Sequence, residues 1–173
     1  MKRSAHAQTA ALLRDVLVAA VPDLHRCCRD PWALIGSAAA WLAGAEVTVA
    51  DLDVLTSTGD AQTLIGQWRT RRDASWIAEE SDRFRSRFAR FGFPGMAVEV
   101  MGGLELCGAN GWEPVRVDEK VMVDVAGLAV PIPTVAEQVR LLQSFGRPKD
   151  LRRAALLQSL SVAVQPGHTP MLH

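Results

Sequence analysis

The segment Asp51-Leu52-Asp53-Val54 alternates acid with apolar side chain inside a run, 47–55, that is rich in β-branched residues. Period two marks a strand with one buried face. Leu52 and Val54 are therefore expected to enter a core while Asp51 and Asp53 share the opposite face, about 7 Å apart. Two carboxylates held side by side repel each other, and a hard cation between them removes that repulsion. Separated from the pair by thirteen residues stands Gly36-Ser37, at the end of the short apolar run 32–35 and ahead of the alanine-rich stretch 38–43. This reads as strand, tight turn and helix, with Gly44 as the stop. A glycine there lets backbone approach a phosphate closely, and a serine adds a hydroxyl donor. The plainer account is a turn glycine and a helix cap without a ligand.

A third acid, Glu99, lies in Ala97-Val98-Glu99-Val100 with apolar neighbours of opposite facing, although Glu105 or Asp124 could take the analogous place. Three carboxylates on neighbouring strands can hold two Mg²⁺ ions about 4 Å apart, an arrangement suited to in-line phosphoryl or nucleotidyl transfer.

The rest of the chain supplies a frame. An amphipathic helix is predicted over 5–20, ended by Pro22. The strand 47–55 is expected to be polar at its far end. A helix should start at Thr58 as N-cap and run through Trp68 into Arg69, Arg71 and Arg72. A strand over 96–101 should leave through Gly102-Gly103, and short strands are expected over 115–117, 121–125 and 128–132. Thr134 with Glu137 has the form of a capping box for a helix to Phe145, closed by Gly146. A last helix covers 149–160. Helices interleaved with strands, followed by a strand cluster, predict an α/β (α+β) fold with one mixed sheet flanked by helices. The expected organisation is one domain over 1–164, with an N-terminal helix (1–22), a core sheet with helices (32–132), C-terminal helices (134–160) and a loose tail, 165–173.

An apolar residue, Gly-Ser, a short helix and then Asp-apolar-Asp-apolar resembles the nucleotidyltransferase superfamily with the DNA polymerase β-type fold, in its small bacterial single-domain form. Further segments are similar to nucleotidyltransferase-domain proteins: Ser81-Asp82-Arg83-Phe84-Arg85-Ser86, Val98-Glu99-Val100-Met101-Gly102, Gly111-Trp112-Glu113-Pro114, Val130-Pro131-Ile132-Pro133 and Gly146-Arg147-Pro148-Lys149-Asp150-Leu151. The similarity runs over 32–157. It implies Gly36 and Ser37 as the triphosphate loop, Asp51 and Asp53 as metal ligands, and Glu99 as third carboxylate and general base. Arg85, Ser86 and Lys149 become further candidates for nucleotide contact. Mg²⁺, in two ions with Mn²⁺ as an alternative, is the implied cofactor, an NTP the substrate, and a hydroxyl group the acceptor. Many relatives carry an arginine just before the aspartates, whereas 46–50 here has none. A second reading is thus a nucleotide-binding or interaction module without turnover, of the kind found as one half of a toxin–antitoxin pair.

Nineteen basic residues stand against 19 acidic ones among 173. Without a uniform field to hold a polyanion, a sequence-independent nucleic-acid binder is not favoured. Sixteen of the basic residues are arginines, seven of them between Arg69 and Arg90. Arg83, Arg85 and Arg87 form either a phosphate clamp or the charged outer face of an edge strand. His6, His25, His168 and His173, like Cys27, Cys28 and Cys107, have no metal-ligand spacing. Trp32, Trp41 and Trp76 are expected in the core, and Trp112 at the surface within reach of a base. No apolar stretch suits a bilayer span, and the first residues lack a signal-peptide pattern, so a cytoplasmic location is expected. The acceptor site would be completed by a homodimer or a partner protein.

Overall fold

A computed structural model describes residues 2–76 and 81–163; the tail expected over 165–173, with His168 and His173, lies outside them. The first helix, α1 (Lys2–Cys27), runs through Pro22 instead of ending there. An interior proline loses one helical hydrogen bond and crowds the preceding turn. Here its exposed ring faces outward, while Leu13, Val16, Leu17, Ala20, Val21 and Leu24 form one fully buried stripe that continues past it. The Trp68 indole N–H also donates to Asp23 at 2.7 Å, fastening the helix beyond the proline.

The chain continues through β1 (Ala33–Ile35), α2 (Gly36–Leu42), β2 (Asp51–Thr56) and α3 (Thr58–Gln67). After a 3₁₀ turn, Arg69–Arg71, come β3 (Phe84–Gly92), β4 (Ala97–Gly108) and β5 (Gly111–Pro114). The hairpin β6 (Lys120–Val125) and β7 (Leu128–Pro133) precedes α4 (Val135–Phe145) and α5 (Pro148–Ala163). The main sheet has the order β1-β2-β4-β3. Strand β2 is parallel to β4 and antiparallel to β1, while β3 and β5 are antiparallel to β4. The architecture is the expected mixed sheet flanked by helices. Leu52, Val54, Ala89, Phe91, Val98 and Val100 occupy its core face, within one cluster with α1.

Several boundaries differ from the sequence expectation. Strand β2 begins at Asp51, so 47–50 is not strand and the acids open the strand rather than end it. The reason is pairing: β4 starts at Ala97, opposite Asp51, and β1 reaches only Asp53. Ser57, not Thr58, caps α3, its hydroxyl accepting from the Asp60 amide at 3.1 Å. Strand β4 runs through Gly102-Gly103 instead of leaving there. A Cβ on Gly102 would overlap Ala61 and stand 2.9 Å from the Ser57 carbonyl oxygen, so the missing side chain is what lets α3 lie on the sheet. Residues 111–114 form strand β5, and 115–117 is not strand. With β3 paired along one edge of β4 as far as Leu106, β5 takes the other edge beyond the end of β2.

The capping box is only half formed. The Thr134 hydroxyl accepts from the Glu137 amide at 3.3 Å, but the Glu137 carboxylate turns to the Asp118 amide at 2.7 Å and to Arg140 at 2.7 and 2.8 Å. It thereby ties α4 to the loop before β6. Trp76 is also not core: it is 38% exposed and stacked on Phe88. Trp41 is half-buried against His6.

Replacing Gly102 by alanine is expected to cost about 1–3 kcal/mol by forcing α3 off the sheet, read as a lower urea midpoint. Bonds from Arg140, aided by the Asp118 amide, hold Glu137 down from 4.5 to about 2. Because the folded value is the lower one, its contribution is complete above the unfolded value and is lost as pH falls toward about 2. Glu137→Gln should be less stable by about 2 kcal/mol near neutral pH, and its urea midpoint should converge on that of wild type in acid.

Candidate active site

The register of three strands builds the site. Asp53 on β2 is the direct partner of Glu99 on β4, and Glu99 is the direct partner of Arg90 on β3. Directly opposed residues share a face, so Asp53, Glu99 and Arg90 make one row across the sheet, with Asp51 a pleat away on the same side. Leu52, Val54 and Val98 between them are fully buried on the other face, which fixes the acids' orientation. On β1 the row ends at Ile35, opposite Asp53. The next residue, Gly36, has φ +69°, and a Cβ there would overlap the Asp53 Oδ2. Glycine is thus required twice over, for its left-handed backbone and for the space the carboxylate takes. Ser37 follows, buried in the first turn of α2.

Asp53 is half-buried and densely surrounded. Desolvation first, then the charges of Glu99 and Asp51 and a hydrogen bond with Glu99, push its pKa well above the usual carboxylate range, and Arg153 opposes them. Arg153, on α5, is itself half-buried; desolvation lowers its pKa, against the stabilising charges of Asp150 and Asp53. The Arg90 guanidinium donates from Nη1 to Glu99 Oε1 and pairs from Nη2 with Asp51 Oδ1 at 3.1 Å. Its Nε lies 3.9 Å from Asp73. Two arginines that the sequence reading did not single out therefore act on the acids, Arg90 by direct pairing and Arg153 through its charge. A signal for Arg90 exists in retrospect: alone among the arginines of β3, it sits between two fully core-facing neighbours, Ala89 and Phe91.

The other candidates fall elsewhere. Glu105 is the bidentate partner of Arg85, at 2.6 and 3.2 Å, and Asp124 accepts from the Gly127 amide in the β6–β7 turn. Glu99 is thus the acid that the sheet brings beside the aspartate pair. Arg85 also lies over the Trp112 ring, 4.4 Å from its centroid, five residues along β3 from Arg90. Arg83 donates to the Phe145 carbonyl and Arg87 to Gln62 at 3.1 Å. Arg85 and Arg87 stand on the edge strand β3, and Arg83 just before it. Ser86 lies at the register shift between Arg85 and Arg87. Lys149 is exposed in the first turn of α5. Its neighbour Asp150 is fully buried and accepts from the Arg147 side chain at 2.6 and 3.1 Å and from the Arg147 amide at 3.2 Å. The 147–150 segment thus secures the start of the helix that carries Arg153.

No family model matches this chain, and no curated protein matches its sequence. Solved structures share its fold. A candidate nucleotidyltransferase from Thermotoga maritima superposes with a TM-score of 0.65 at 21% identity, over 85% of this chain and 91% of that one. An antigenic nucleotidyltransferase-like protein from Paracoccidioides brasiliensis gives 0.51 at 13%, over 88% and 78%. The lincomycin-bound lincosamide antibiotic adenylyltransferase LnuA gives 0.52 at 11%, over 83% and 95%. The chain has the nucleotidyltransferase fold. Among the described residues, no helix is long and apolar enough to cross a membrane.

The donor set can be tested against the divalent ion that this fold implies. Its ligands would be carboxylate oxygens, which suit a hard cation, and the crowding of Glu99 and Asp51 against Asp53 is what such a cation relieves. As the side chains stand, no three His, Cys, Asp or Glu among the described residues converge as a metal centre, and Arg90 pairs with Asp51 and Glu99. The chemistry fits, with Arg90 as the competing charge. Asp53→Asn replaces a carboxyl that desolvation and its acidic neighbours hold against ionisation with a neutral amide of the same shape, and at pH values above the usual carboxylate range it should raise the metal-free melting temperature, worth about 0.5–2 kcal/mol; a lower value would show that Arg153 outweighs that cost.

Proposed function

We propose that the protein is a nucleotidyltransferase moving a nucleoside monophosphate from an NTP to a hydroxyl of an acceptor. The observation that carries this reading is the row Asp53, Glu99 and Arg90, with Asp51 beside it and the bare backbone of Gly36 against Asp53. Asp51, Asp53 and Glu99 would hold Mg²⁺ or Mn²⁺. When bound there, the ion neutralises triphosphate charge and makes the acceptor hydroxyl more acidic. Gly36 and Ser37 bind the triphosphate, the glycine by letting the chain approach it and the serine through its hydroxyl. Glu99 takes the acceptor's proton; the freed oxygen attacks the α-phosphorus, and pyrophosphate leaves with the electrons of the broken bond. Arg153 supplies positive charge beside Asp53, and Lys149, exposed on the same helix, is a further candidate for the phosphates. Three solved proteins of the same fold are named for, or as resembling, this chemistry.

A second reading, nucleotide binding or protein interaction without turnover, is favoured by one observation: a guanidinium already pairs with two of the three acids. The two readings part on a simple measurement. Wild type should melt higher with Mg²⁺ and an NTP than with either alone. The double substitution Asp51→Ala, Asp53→Ala should lose that increment, and transfer of α-labelled phosphate to fractions of a cell extract should fall about 10²–10³-fold. A wild-type melting temperature indifferent to Mg²⁺ with each of the NTPs would overturn the enzyme reading; nucleotide-dependent stabilisation without labelled product would favour the second.

A further inference from the structure

Arg90 is the member of the row to which nucleotidyl transfer assigns no task. Its guanidinium pairs with Asp51 Oδ1 at 3.1 Å and with Glu99 Oε1, in a partly buried setting where the three side chains are 22%, 30% and 16% exposed. A divalent ion held by Asp51 and Glu99 would draw on the same two carboxylates. A guanidinium carries its charge in a rigid planar fork, so turning those carboxylates toward an ion would weaken its paired contacts.

We propose that Arg90 is a tethered counter-cation that occupies the carboxylates of Asp51 and Glu99 before the divalent ion arrives, competes with it, and is handed to Asp73 when it binds. This rests on the metal-dependent reading above. The fold provides the second position. Asp73 Oδ2 is 3.9 Å from Arg90 Nε, and the side chain of Asp73 is 38% exposed. The Asp73 amide donates to the Arg90 carbonyl oxygen at 2.9 Å, holding the two residues side by side. Its carboxylate is oriented by the Ser75 amide at 3.1 Å and the Ser75 hydroxyl at 2.6 Å. Trp76 supplies a ring face 5.6 Å from the Arg90 guanidinium carbon. Ala89 and Phe91, both buried, pin the backbone of β3 on either side, so the exchange needs only side-chain rotation.

Competition and displacement are linked: whatever Arg90 gains from the carboxylates, the ion must overcome. The test is a Mn²⁺ titration, followed by the paramagnetic signal of the free ion, on wild type, Arg90→Gln, Arg90→Lys and Asp73→Asn. Arg90→Gln should bind Mn²⁺ about tenfold or more tightly, and Arg90→Lys should fall between it and wild type, having charge without the fork. Asp73→Asn should bind more weakly than wild type and change nothing in the Arg90→Gln background. Equal or weaker binding by Arg90→Gln overturns the inference and leaves the metal-dependent reading standing. No binding by any variant overturns both. Binding by Arg90→Gln alone supports the competition and removes turnover from wild type. If circular dichroism shows Arg90→Gln unfolded, Arg90→Lys decides, and an affinity equal to wild type overturns the proposal.

Discussion

Two carboxylates directly opposite each other on neighbouring strands are a standing electrostatic strain, and the pairing of Asp53 with Glu99 sets the terms for everything around it. The strain is tolerated because the opposite face of the same strands is anchored by Leu52, Val54, Val98 and Val100, none of which can be exposed without losing the main core. A one-residue slip of β2 against β4 would relieve the repulsion but turn those side chains to solvent. The apolar face therefore holds the acidic face in place. The remaining features answer the charge: Arg90 from the outer strand, Arg153 from the final described helix, and a backbone without side chain at Gly36.

The arrangement divides labour between rigid and adjustable parts. The acids stand on the central pair of strands, where the ladder fixes them, while the arginines reach in on long side chains from the periphery. That division suits a site whose charge must change as ligands come and go. It also places no demand on the surface arginines Arg83, Arg85 and Arg87, which serve the edge of the sheet and the end of α4. The likeness to solved nucleotidyltransferases, at 11 to 21% identity, reaches the fold; the site's chemistry rests on the residues themselves.

Much of this was legible in the sequence. Alternation at 51–54 disclosed which side chains are core and which are not, since burial on one face leaves a period-two trace. Gly36 was legible as a tight turn, though not as the residue making room for a carboxylate, because that contact spans 17 positions. Boundaries failed where tertiary packing decided them. Pro22 is overridden by a buried stripe, 47–50 lacks a strand partner, and Gly102 reads as a break only until α3 is seen against it. Arg90 and Arg153 were hidden for a related reason: an arginine's role depends on what its far end meets, and local sequence records only where its stem begins.

The docking of α5, whose Ala154 and Leu157 pack with Ala40, Ala45 and Leu142, bears on the order in which the site comes together. The acids belong to strands within 51–108, so the sheet can bring Asp53 and Glu99 face to face while the helix bearing Arg153 is still undocked. Arg90, carried by the neighbouring strand, arrives with the sheet; Arg153 arrives only with that helix. Local unfolding of α5 would leave the acid row standing but strip one of its two counter-charges, so charge compensation at the site is coupled to the docking of an element outside the sheet.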